Sequence, residues 1–283
     1  MLLSIGDCLP SGEFQVHSCF TKVINFVHNG DIVSLVQPVV GAGPANIVLH
    51  EDAWRNYRTL RVSDDAVQLD GIRMSIDESI RYDSALRLQI LDDRSFTANL
   101  AILEQEMFAA APAESMVFLL EPRFRQKARS GFAKALAERF LAAAALIREN
   151  DFAGSIPLLR GAGPGLTPAG DDFIAGMLLA LQVERQCRGE IPAALIERMY
   201  RGALGENLLS NTYLNFARAG RVFAPMKNLL NALSGDAPAE IRRHAGVLLA
   251  RGATSGADLA SGFCLTLRQF WKGNQDVDSR KGA

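Results

Sequence analysis

Gly161-Ala162-Gly163-Pro164-Gly165-Leu166-Thr167-Pro168-Ala169-Gly170-Asp171-Asp172-Phe173-Ile174-Ala175-Gly176 is the run on which the reading of this chain turns. Five glycines, two prolines and two adjacent carboxylates lead into an almost wholly apolar segment, Met177 to Val183. Glycine permits backbone angles and close approaches that a side chain blocks. Proline directly after threonine fits a helix start, with Thr167 as N-cap and Pro168 at the first helical position. The stretch predicts a tight loop feeding the amino end of a helix, where backbone N–H groups without helical partners can meet a ligand. Gly170 in the first turn weakens that helix by about 1 kcal/mol relative to alanine. A backbone that something else approaches closely accounts for that cost.

Forward of the loop, the helix from Pro168 to about Gln186 is apolar on nearly every side and is expected at the centre of a bundle. Further helices are expected over Ile191 to Ala203, Asn207 to Ala219, Phe223 to Leu233, Ala239 to Ala250 and Ser255 to Trp271. Behind the loop, Phe132, Leu136, Phe140, Ala143 and Ile147 recur at helical spacing. Asn99 to Ala111 is also helical before the chain thins into Ala111-Pro112-Ala113-Glu114-Ser115. Met116 to Leu120 reads as a last strand or a buried connector.

The first third has another period. Asn29-Gly30 is a two-residue hairpin signal that sets Phe26 opposite Val33 and Ile24 opposite Leu35. Asp70-Gly71 does the same for Leu69 with Ile72 and Val67 with Met74. Ser84 to Leu91 alternates as a half-buried strand does. Gly41-Ala42-Gly43-Pro44-Ala45-Asn46, followed by a short strand from Ile47 to Leu49, is explained by turn chemistry. The fold class is therefore α+β: an amino-terminal β-rich barrel or sandwich domain over 1–115, then a carboxyl-terminal helical bundle domain over 116–271. Residues 272–283 read as a polar, frayed tail.

Composition narrows the function classes. Thirty basic and thirty-one acidic side chains in 283 residues give no basic excess for nucleic acid and no acidic tail. Cys8, Cys19, Cys187 and Cys264 lack metal-ligand or disulfide spacing, and so do His17, His28, His50 and His244 for a metal. Met1 to Pro10 does not read as a signal peptide, and no apolar stretch is long enough for a membrane span. The expectation is a cytoplasmic protein acting on a small molecule.

The central loop has an echo. Gly165-x-Thr167-x-x-Gly170-x-Asp172-x-x-x-Gly176 is matched by Gly252-x-Thr254-x-Gly256-x-Asp258-x-x-x-Gly262, each copy preceded by an Arg-Gly-Ala step headed by Arg160 or Arg251. If both copies start helices, two amino ends can converge on one cleft. Gly163, Gly165, Gly170 and Arg160 would then face a ligand with Thr167, Thr254, Ser255 and Asp258, and Asp171 and Asp172 would supply the chemistry. Capping alone also suits Ser255 with Asp258, and Asp171 with Asp172 in a first turn. Ser210 and Asn211, near Asn207, line either the site or a solvated helix face. Paired aspartates oppose an unscreened anion, so the site calls for a divalent ion such as Mg²⁺, a nearby arginine, or a ligand offering N–H groups. Neither a Walker A lysine nor the strand of a dinucleotide fingerprint is present.

The run Gly163-Pro164-Gly165-Leu166-Thr167-Pro168-x-Gly170-Asp171-Asp172-Phe173-x-x-Gly176 resembles the signature of a bacterial family long listed as a domain of unknown function. Gly43-Pro44-x-Asn46, Leu209-Ser210, Ala217, Gly220 and Thr254-Ser255-Gly256-x-Asp258 resemble further blocks of that family. One member group is a subunit of oxamate carbamoyltransferase, a three-part enzyme of allantoin breakdown that exchanges a carbamoyl group between oxalurate and phosphate. The resemblance implies a role in carbamoyl transfer beside other subunits. Two other readings stand next to it: a self-sufficient Mg²⁺-dependent hydrolase or phosphotransferase, and a non-catalytic assembly subunit whose glycines are packing devices.

Overall fold

The structure, a computed structural model, describes residues 1–90, 92–125 and 130–271. By its contacts the chain divides into two compact units, Met1–Leu86 with Arg221–Lys227, and Arg87–Gly220 with Asn228–Ala283. The boundary expected near 111–115 lies one helix further on than this division.

The first unit is built on strands β1 (Leu2–Gly6), β2 (Gly12–Cys19), β3 (Val23–His28), β4 (Asp31–Val36), β5 (Asn46–Leu49), β6 (Thr59–Val62), β7 (Ala66–Leu69), β8 (Ile72–Ser75) and β9 (Arg81–Tyr82). They form one curled sheet, a half-barrel, in the order β8-β7-β6-β2-β3-β4-β5-β1-β9. Phe14, Ile24, Phe26, Val33, Leu35, Ile47 and Leu60 fill its concave core. Both hairpins have the expected register: Ile24 pairs with Leu35 and Phe26 with Val33, Val67 with Met74 and Leu69 with Ile72. Asn29 and Gly30, and likewise Asp70 and Gly71, take the positive φ that such two-residue turns need.

The strand expected over Ser84 to Leu91 is not formed. Ser84 and Leu86 are buried and Arg87 and Gln89 exposed, as the alternation required, but only Ala85 makes a bridge, to Arg221. Alternation reports which face is buried; a strand also needs a ladder partner. Leu91 itself lies outside the described residues. The Gly41–Asn46 turn is held from within and from outside: Asn46 donates from Nδ2 to the Gly41 carbonyl at 3.0 Å, and the Cys8 and Ala224 amides donate to the Pro44 and Ala42 carbonyls. Asp7 is the hub of the same unit. It accepts from Ser84 Oγ at 2.6 Å and Arg221 Nη1 at 2.7 Å.

The second unit holds α1 (Asp93–Ala110), α2 (Gly131–Arg148), α3 (Phe152–Leu159), α4 (Ala169–Arg188), α5 (Ala193–Ala203), α6 (Leu208–Arg218), α8 (Pro238–Leu249) and α9 (Ser255–Leu267); α7 (Ala224–Leu233) begins in the first unit's returning segment. Met116–Leu119 is a buried 3-10 turn, the connector rather than the strand. Phe132, expected on the packed stripe of α2, is 73% exposed, because that stripe is buried only from Phe140 onward. In α4 every residue from Gly170 to Glu184 is buried except Asp172, which is half-buried. This is the expected central helix. It crosses α9, whose residues from Gly256 to Leu267 are all buried. The proposed tail, 272–283, lies outside the described residues.

Candidate functional site at two converging helix starts

The loop from Gly161 to Pro168 is braced by its surroundings. On α2, Arg139 donates to the carbonyls of Leu158 (2.6 Å), Pro157 (3.0 Å) and Arg160 (3.3 Å), meeting acceptors that the end of α3 leaves open. Asp171 Oδ1 accepts the Gly161 amide at 2.7 Å, and the Gly170 amide donates to the Ala162 carbonyl at 2.8 Å. Asn207, the N-cap of α6, donates from Nδ2 to the Leu166 carbonyl at 2.6 Å. Gly163 and Gly165 hold φ of 108° and 116°, positions that favour glycine. Among the described residues no acceptor meets the amides of Gly163, Gly165 or Leu166.

Two details of the helix start differ from expectation. Pro168, not Thr167, is the N-cap: its carbonyl accepts from the amides of Asp171 (2.9 Å) and Asp172 (3.2 Å), with no side-chain cap. Thr167 has other work. Its hydroxyl donates to Asp172 Oδ2 at 3.0 Å and lies 3.4 Å from Ser255 Oγ at the start of α9. Gly170 does answer a close approach, but the chain itself makes it. A Cβ there would be driven into the carbonyl oxygen of Leu159.

The echo is structural. A Cβ on Gly256 would strike the Leu248 carbonyl as one on Gly170 strikes Leu159, and the Gly256 amide donates to the Arg251 carbonyl at 3.1 Å. By these hydrogen bonds Arg251 stands where Ala162 stands, not Arg160, because the second loop is shorter. Arg160 accordingly points elsewhere, reaching the Leu204 carbonyl at 3.5 Å. Arg251 interacts electrostatically with Asp172 and with Tyr213 of α6.

The carboxylates are the unusual part. Asp258 is fully buried; Oδ1 accepts the Met116 amide at 2.6 Å and Oδ2 has no hydrogen-bond partner. Burial pushes its carboxyl up to about 7, against the Met116 amide and the Thr254 hydroxyl nearby. Asp172 is also pushed up to about 7, by burial first, opposed by the Ser255 and Thr167 hydroxyls and reinforced by Asp258 and Asp171. The Arg251 guanidinium is lowered by burial, with Tyr213 and Asp172 offsetting part of the effect. A carboxyl that titrates near neutrality can both take and return a proton.

The remaining expected residues divide. Thr167, Asp172, Ser255 and Asp258 come together at the two helix starts. Asp171 is engaged with the loop backbone, and Asn211 with both backbone groups of Gly205, at 3.0 and 2.8 Å. Ser210 is buried with its hydroxyl unpartnered. Arg139, Tyr213 and the Met116 amide were not foreseen; each acts across long sequence separations that no local pattern marks. Among the described residues, no group of three or more His, Cys, Asp or Glu side chains is arranged to hold a metal ion, and no helix is long and apolar enough to cross a membrane. A hollow of about 340 Å³ lined by Gln182, Arg185, Glu197 and Arg218 lies further along α4.

No solved structure matches the chain. Residues 2–90 match the family described as the AllH family N-terminal domain. Residues 159–267, which include both helix starts, match the family described as oxamate carbamoyltransferase subunit AllH. These two matches span most of the sequence and agree with the blocks around Gly43 and Gly163, so the chain belongs to the AllH family.

Proposed function

We propose that this chain is the subunit of an oxamate carbamoyltransferase that carries a carbamoyl-transfer site, located where α4 and α9 begin. The supporting observation is the half-buried Asp172 carboxylate, bonded by the Thr167 hydroxyl of one helix start, which itself lies 3.4 Å from Ser255 Oγ at the other. In the transfer, the amide nitrogen of oxamate attacks the carbonyl carbon of carbamoyl phosphate. A C–N bond forms, the C–O bond to phosphate breaks, and one N–H proton must leave the attacking nitrogen. Asp172 takes that proton, and in the reverse direction returns it to the departing nitrogen of oxalurate. The unmet amides of Gly163, Gly165 and Leu166, with Arg251, supply donors for phosphate or carbonyl oxygen. Asp171 keeps the loop in shape.

The test uses the assembled enzyme, because the family is described as a subunit. Asp172→Asn preserves shape and both hydroxyl neighbours but removes the proton acceptor. The expected result is a kcat lower by about 10²–10⁴-fold with assembly intact. Full turnover by the variant complex would remove Asp172 from the mechanism.

A further inference from the structure

We propose that the hollow where α4, α5 and α6 meet is a second binding site, for a small carboxylate that also carries an amide or ureido N–H. It is separate from the two helix starts. Gln182 lies ten residues beyond Asp172 on α4, about 15 Å along the axis at 1.5 Å per residue. The hollow measures about 340 Å³, room for a molecule of several heavy atoms. Gln182 is the residue that points to a ligand. It is 7% exposed and lines the hollow. Its Nε2 donates to the Arg218 carbonyl, and because a carbonyl only accepts, this bond fixes which way the amide faces. Oε1 meets no donor among the described residues and is not sealed from solvent, so it opens on the hollow.

The other walls supply donors. The hollow reaches the first turn of α5, where Pro192 is the N-cap and no side chain caps the helix. Among the described residues no acceptor meets the amides of Ala193 and Ala194. Arg218 is held in place by Glu197 at 3.2 Å, by Asn215 Oδ1 at 2.9 and 3.3 Å, and by the Tyr200 ring 4.9 Å away. Those bonds leave one N–H on each of its terminal nitrogens. Glu197 is already engaged, because Arg201 also meets it at 2.8 Å. Arg185 is exposed and forms no ion pair among the described residues, so the hollow holds more positive charge than its one carboxylate offsets. An open helix start beside two guanidinium groups favours an anion. Bare phosphate or sulfate would leave Gln182 Oε1 unmet, at the cost of an unpaired polar group. A carboxylate that brings its own N–H satisfies both sides.

¹H–¹⁵N NMR titration of the labelled full chain with oxamate, pyruvate and inorganic phosphate tests this. Oxamate and pyruvate share shape and charge, with an NH₂ in one where the other has a methyl group. Oxamate should move the Gln182 side-chain resonances and the Ala193 and Ala194 amides. Its Kd at these positions should be about tenfold or more below that of pyruvate or phosphate. Arg185→Gln, at an exposed position, should raise the oxamate Kd there about tenfold or more with the rest of the spectrum unchanged. Gln182→Leu should make oxamate and pyruvate equal; should that buried variant fail to fold, Arg185→Gln and the three probes still decide. Asp172→Asn should leave the shifts at the hollow as they are, whatever it does to turnover, so this site and the transfer reading stand or fall separately. Oxamate shifts confined to Gly161–Asp172, no shift at the hollow at millimolar oxamate, equal Kd for the three probes, or indifference to Arg185→Gln would each overturn the proposal.

Discussion

Gly176 and Gly262 hold one helix crossing from opposite sides. A Cβ on Gly176 would enter the carbonyl oxygen of Leu259 on α9, and one on Gly262 the carbonyl oxygen of Phe173 on α4. Backbone cannot swing aside as a flexible side chain can, so either alanine must push the two helices apart. Gly176→Ala or Gly262→Ala should each lose about 1–3 kcal/mol or more in urea unfolding. Gly246, on the exposed face of α8 with open space around it, is the control. Gly246→Ala should gain about 0.5–1 kcal/mol from helix propensity alone. The double variant at the crossing should fall short of the sum of its parts, since one separation relieves both clashes.

Stability should decline as the medium becomes alkaline. Asp172 and Asp258 are raised to about 7 in the folded chain from 3.8. The folded state thus retains protons that the unfolded chain has released between these values, and stability drops across that window. The expected loss from pH 5 to pH 8 is roughly 5 kcal/mol for the two groups together, and Asp172→Asn should flatten the slope and exceed the wild type at pH 8. At lower pH the trend reverses, because Asp92, held low by the Ser95 side chain and amide, and Glu78, held low by Arg81, become protonated. Melting temperatures across pH 3–9 measure both limbs; a flat wild-type curve above pH 5 would contradict the burial of this pair.

Asn207 joins two tasks that one substitution can separate. Its Oδ1 caps α6 at the Ser210 amide, 3.0 Å away, while Nδ2 holds the Leu166 carbonyl. Asn207→Asp keeps the cap and removes the donor, so the melting temperature should hardly move while KM rises in the assembled enzyme. Asn207→Ala removes both and should also lose about 1 kcal/mol of stability. Equal KM values in the wild type and Asn207→Asp would show that the loop does not depend on this bond.

Arg139 makes its contacts with three carbonyls through a planar, forked guanidinium. Lysine offers a single point of donation, so Arg139→Lys should leave acceptors at the end of α3 unmet. Amide hydrogen exchange should quicken in Gly161 and Ala162, with α4 beyond Gly176 unchanged. Uniform quickening across α4 would mean that Arg139 supports the bundle rather than the loop.

The hairpins were legible because Asn29-Gly30 and Asp70-Gly71 fix register through turn geometry, a local property. Ser84 to Ile90 shows the limit: its alternation was correct for burial, yet the ladder partner that would make it a strand is a matter of distant chain. The same division runs through the site. A helix start at Gly161–Asp172 could be read from glycine, proline and acid within a few residues. The one-residue shift of the cap, from Thr167 to Pro168, arises because the threonine hydroxyl is drawn to Asp172 and Ser255, 88 positions away in the latter case. Gly170 signalled a close approach correctly, but sequence does not say who approaches, and the answer was Leu159. The partner of Asp258, the Met116 amide, is 142 positions distant and left no trace in the local pattern.

The return of Arg221–Lys227 to the first unit bears on how the chain is made. Ser84 and Arg221 both meet the Asp7 hub, and 137 positions separate them. That segment also brings buried Val222 and Met226. On the ribosome the curled sheet therefore emerges well before its last component is synthesised, and it must wait incomplete while most of the helices are translated. A fragment stopping near residue 90 would reproduce this waiting state, with Asp7 lacking its arginine and the Tyr82 hydroxyl lacking the Val222 carbonyl.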